Sequence, residues 1–181
     1  MSEVQTPLHI SIDDLLSYTA WQREDWLVQL RKHGQPVLKI SAGPHGDGRF
    51  QIVGDLVRHI FSAEKRYVDR LSGRPLTDAA SIPNDNVDAL FQFGQKSRQD
   101  LEELIRTFLA PEWEATKEFK IIEHVIHATP RKIVTHVLMH EIRHWAQIAT
   151  LLRLNGYPIE LHDFLFSPAM SAKPRPAARE A

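Results

Sequence analysis

The chain has 181 residues, 43% hydrophobic and 25% charged, with a formal net charge of -1 and no cysteine. That length suits one domain able to bury its own core. The near-zero charge offers no broad basic field for nucleic acid or anionic membrane. The missing cysteine excludes disulfides, thiolate ligands and a cysteine nucleophile, so any metal ligand is His, Asp, Glu or water.

The N-terminus, Met-Ser-Glu-Val-Gln-Thr-Pro, has no basic region followed by an apolar run, and none of the chain's apolar runs approaches ~18 residues. The expectation is a cytoplasmic protein with no membrane partner. Ser11-Ile-Asp-Asp14 fits a helix start, a cap with acids in the first turn. A first helix should follow from Ile12 to His33, its apolar positions including Leu15, Leu16, Tyr18, Trp21, Trp26, Val28 and Leu30, with Gly34 as the stop. Residues 34–49 are broken by proline and glycine, His45 reads as a loop residue, and Val37–Ile40 could be extended.

A second helix is expected from Phe50 to Ser72, with Ile52, Leu56, Ala63, Tyr67 and Leu71 in phase. His59 lies beside that stripe. A third spans Val87 to Leu109, its inward face marked by Leu90, Phe93, Ser97, Leu101, Leu104 and Phe108. Gly94 interrupts it at about 1 kcal/mol against alanine, and Pro111 ends it. Residues 111–128, with Phe119, Ile121, Val125 and Ile126, could form a short hairpin or irregular cover. Thr129-Pro130 opens a fourth helix, which Gly156 and Pro158 stop. The four amphipathic segments predict an all-α four-helix bundle over residues 1–166, with a disordered tail at 167–181.

The fourth helix carries His136, His140 and His144 at four-residue spacing. Each step advances about 40° around the axis, and His136 and His144 stand about 12 Å apart along it. One ion can use the pair 136/140 or the pair 140/144, not all three. Its further ligand must come from another helix, and His59 is the one histidine inside the second or third. Three imidazoles with an open position make a catalytic-type metal site. His124, His127 and His162 flank the helix and read as solvated or hydrogen-bonded, and His9 and His33 sit at element ends.

His140-Glu141-Ile-Arg-His144 is also, letter for letter, the zinc-peptidase string H-E-x-x-H. Its longer form needs glycine at 147 and histidine at 150, where this chain has Gln147 and Thr150. Glu160, a possible downstream ligand, lies beyond the Gly156 break, and Glu141 could simply be solvated. The peptidase is the weakest of the functional readings.

Two runs carry a family resemblance. His140-Glu-Ile-Arg-His144-Trp-Ala-Gln147 through Gly156, and Asp55-Leu-Val-Arg-His59 through Tyr67, resemble the DinB family and the wider DinB/YfiT-like superfamily. The resemblance covers about residues 11–166. It implies an up-down-down-up bundle, a homodimer, and a divalent ion, nickel or zinc before iron or manganese, held by His59, His140 and His144. Some relatives use a low-molecular-weight thiol as cosubstrate in S-transfer, which implies a metal-dependent thiol transferase. The alternative is a non-catalytic, stress-linked bundle stabilised by metal. One departure stands out: the family often has arginine after the last histidine, and this chain has Trp145.

Overall fold

The computed structural model describes residues 9–43, 50–121, 123–160 and 162–171. Four long helices dominate it: α1 (Ile12–His33), α2 (Val53–Leu71), α3 (Val87–Thr107) and, after a short α4 (Ala110–Glu114), α5 (Pro130–Leu154). The ends follow from local chemistry. Ser11 and Asp14 form a reciprocal capping box, Oγ accepting from the Asp14 amide at 3.1 Å and the carboxylate accepting from the Ser11 amide at 2.9 Å. Gly34 closes α1 at φ 76, donating its amide to the Leu30 carbonyl. Thr129 caps α5 by accepting from the Lys132 amide, with Pro130 in the first turn.

The hairpin before α5 is present. Strands β1 (Lys117–Ile121) and β2 (His124–Ala128) pair antiparallel, Phe119 opposite Ile126. Two details depart from expectation. Residues Gln35–Lys39 are a 3-10 turn, not extended: Pro36 sits in its first turn, and Val37 and Leu38 are fully buried. Here burial outweighs the β preference of the side chains. Pro111 does not end α3. That helix stops at Thr107, where Phe108 turns extended, and Pro111 instead starts α4.

Packing fixes the helix directions. Phe61 of α2 meets Gly94 of α3, and Lys65 pairs with Asp100, so α2 and α3 run parallel. His59 meets His140 and Tyr67 meets His136, so α2 and α5 run antiparallel. Arg23 meets Glu141 and Trp26 meets Trp145, so α1 and α5 run parallel. The core has an aromatic centre. Trp26 and Trp145 stack at 5.0 Å and 12°, and Phe61 and Phe91 close on Trp145. Phe91 was not on the expected inward face; it is buried, while its neighbour Phe93 only borders the core. Val28, one of the apolar positions of α1, is exposed.

Beyond α5 the chain returns over α1. The Tyr18 hydroxyl donates to the His162 carbonyl, and the Glu160 amide donates to Gln29 Oε1. Ala169, inside the segment expected to be a tail, is buried. Residues 172–181 of that segment, like His45, lie outside the described residues. Among the described residues, no helix is long and apolar enough to cross a membrane.

Gly94 gives a test of packing against propensity. A Cβ there would stand 2.7 Å from the Phe61 ring, and the Gly94 carbonyl accepts from Arg23 Nη1 at 2.9 Å. Helix propensity alone favours Gly94→Ala by ~1 kcal/mol, while overpacking costs ~1–3 kcal/mol. Gly94→Ala should therefore lower the urea midpoint with no change in slope. A raised midpoint would refute the close-contact role.

Candidate metal centre

His59 lies on α2 and His140 and His144 on α5, one turn apart. The antiparallel seam of these helices brings the three together. His59 Nε2 is 3.0 Å from His140 Nε2, and His144 Nε2 is 3.1 Å from His140 Nε2. One nitrogen from each ring falls within 4.8 Å of the others, a grouping that could hold a metal ion. Three nitrogens bound tetrahedrally to one zinc stand roughly 3.3 Å apart, so the donor set fits such an ion.

The charge state also fits. Burial, with the neighbouring His144 and His59 rings, pushes the His140 imidazole down to about 2. It is therefore neutral at pH 7, the form that ligates. His144 is oriented by a partner the sequence reading left without a role. Its Nδ1 donates to Gln147 Oε1 at 3.0 Å, which turns the Nε2 lone pair toward the other two rings. The signal for it was the three-residue spacing on a helix.

His136 is not in the cluster. It is exposed at the next turn, edge-on to Tyr67 at 5.6 Å and tilted to His140 at 5.6 Å. His124 and His127 are exposed on β2, and His33 Nε2 donates to the Pro158 carbonyl. His162 packs edge-on against Trp26. The cluster opens into a cleft of about 460 Å³, bounded by Phe50, Tyr67, Ile121 and the side chains of α2 and α5.

Glu141 is not solvated. It points away from the cleft into a buried quartet with one residue from each long helix. Arg23 of α1 donates to both its oxygens at 2.7 Å, and Arg98 of α3 donates to Oε2 at 2.9 Å. The same two arginines bond Glu64 of α2, at 2.9 and 3.0 Å. Trp145 Nε1 donates to Glu141 Oε1 at 3.1 Å. Burial opposes charge on Glu141, but Arg23 and Arg98 outweigh it and hold the carboxyl below its ordinary 4.5. A carboxylate so committed is no general base, which removes the chemistry the H-E-x-x-H string would need. Trp145 likewise faces the core, so the departure from the family's arginine leaves the histidine cluster untouched.

Because the folded value is lowered, the stability Glu141 contributes is complete above about pH 4.5 and lost as pH falls through the lowered value. Glu141→Gln leaves buried arginine charge uncompensated and should cost ~3–5 kcal/mol at pH 7. Breaking the exposed Arg31–Asp88 pair should cost only ~0–1 kcal/mol. Equal urea midpoints for the two variants would contradict the quartet's role.

No curated protein matches the chain. A model of the DinB family does match, over residues 2–177. With the histidine cluster in place and nearly the whole sequence matched, the chain belongs to the DinB family.

Proposed function

We propose that this protein holds one divalent metal ion on His59, His140 and His144 and uses it to transfer a low-molecular-weight thiol to an electrophile. The observation that carries the reading is the convergence of three ring nitrogens at the head of an open cleft. A structural zinc site is closed by protein ligands, whereas three imidazoles beside a cleft leave room for an exogenous one. A bound divalent cation lowers the pKa of a thiol that coordinates it, making thiolate available near neutral pH. The chain has no cysteine, so the sulfur nucleophile comes from the cosubstrate. The protein's part is to orient the imidazoles through Gln147, keep His140 neutral, and hold both reactants in the α2/α5 cleft. The imidazole set suits nickel or zinc before iron or manganese.

The pairwise helix directions support the up-down-down-up four-helix bundle that the family resemblance implies. We take the working form to be a cytoplasmic homodimer. Trp26 is no part of its interface, being fully buried against Trp145. Light scattering should give twice the chain mass; a monomer at micromolar concentration would refute the dimer.

Metal analysis of the purified protein should give about one ion per chain. His59→Ala and His140→Ala should each remove it, and Gln147→Leu should weaken it ~10–100-fold. Unchanged stoichiometry in both histidine variants would sink the site. With 1-chloro-2,4-dinitrobenzene and a thiol, the loaded protein should form the C–S bond and release chloride, and a chelator should stop it. Full metal occupancy without turnover across a panel of thiols and electrophiles would favour the non-catalytic, metal-stabilised bundle.

A further inference from the structure

The histidine cleft carries a charge that metal binding does not use. Arg66 and Arg70 of α2 and Arg143 of α5 line it, with no aspartate or glutamate among the lining side chains. None of these three guanidiniums is ion-paired among the described residues. Asp69, the acid adjacent to Arg70, is taken by other groups: it accepts from Lys65 Nζ at 2.7 Å and from the Thr77 amide and hydroxyl at 3.0 and 2.8 Å.

Arg66 and Arg70 are one turn apart on the same face and half-buried. The Arg70 guanidinium lies over the Tyr67 ring at 5.5 Å. Burial and the Arg66 charge both hold it below its ordinary value. Two like charges at this spacing repel, and an anion between them would relieve that. Arg143 marks the other end, its Nη2 3.3 Å from His144 Nε2. Arg66 and Arg70 follow His59 by 7 and 11 residues, so they stand about 10 and 16 Å from it along the α2 axis.

We propose that the cleft takes a small substrate bearing a carboxylate or phosphate group, seated on Arg66 and Arg70. Its reacting group then lies at the histidines, about 10 Å or more away along α2. The paired guanidinium forks match either planar or tetrahedral oxyanions. The same positive wall disfavours cationic substrates. The assignment of a reacting end rests on the metal reading; the anion seat rests on the arginines alone.

The test is calorimetric titration of the zinc-loaded full-length chain with succinate and with inorganic phosphate, glycerol serving as a neutral control. Wild type should bind at least one anion, and whichever binds tighter identifies carboxylate or phosphate as the group. Arg66→Gln/Arg70→Gln should weaken that binding at least tenfold with zinc stoichiometry unchanged. Arg70→Gln alone should weaken it several-fold, and decides the matter if the double variant does not fold. Equal affinity in wild type and variants would place the anion on the metal and overturn the proposal, as would no binding of either anion. If wild type takes up no zinc but anion binding still depends on Arg66 and Arg70, the metal reading falls and the anion seat stands.

Discussion

The buried quartet of Arg23, Glu64, Arg98 and Glu141 is the constraint on which the arrangement depends. Each long helix supplies one member, and each carboxylate bonds both arginines. Desolvating four charges is costly, and the mutual attraction offsets this only when the geometry is good. A rotation of any one helix would leave an unpaired charge in the core. The quartet therefore sets helix rotation, which apolar packing alone specifies loosely.

The histidine cluster inherits its geometry from that rotation. Glu141 follows His140 directly, so with Glu141 held inward, His140 is turned about 100° away, toward the cleft. Glu64 follows His59 by five residues and fixes α2 in the same way. The aromatic stack beneath, Trp26 on Trp145 with Phe61 and Phe91, fills the space beside the quartet, and Gly94 lets α3 approach closely enough for Phe61 to fit. Charge pairing, aromatic packing and the metal-type cluster are successive turns of the same helices.

Much of this was legible in the residues. The helix ends were, because Ser11, Gly34, Thr129-Pro130 and Gly156 act locally. So was the grouping of His59 with His140 and His144, since four-residue spacing and helix membership narrow the choice. What escaped was decided at long range. Glu141 looks like any helical surface acid until Arg23 and Arg98, distant in sequence, are brought against it. Val37 and Leu38 favour strand but are buried in a 3-10 turn. Phe91 and Phe93 differ only in phase, and Gly94 pressed on Phe61 makes Phe91 the inward one. Gln147 was within reach of a spacing argument, but its role appears only once the His144 ring is oriented.

The contact between His59 and His140 joins positions 81 residues apart. A cation shared between them would bind the folded chain, which alone brings its ligands together, and so would stabilise a sequence with no cysteine for a disulfide. In the chain-entropy treatment, a permanent cross-link of that span removes unfolded-state freedom equivalent to about 4–5 kcal/mol. A reversible ligand acts differently: it binds the folded chain and stabilises it by mass action, about 2.7 kcal/mol at a hundred times its Kd. The supply of such an ion would then bear on the protein's lifetime against proteolysis, because proteolysis samples the open state that the ion depletes.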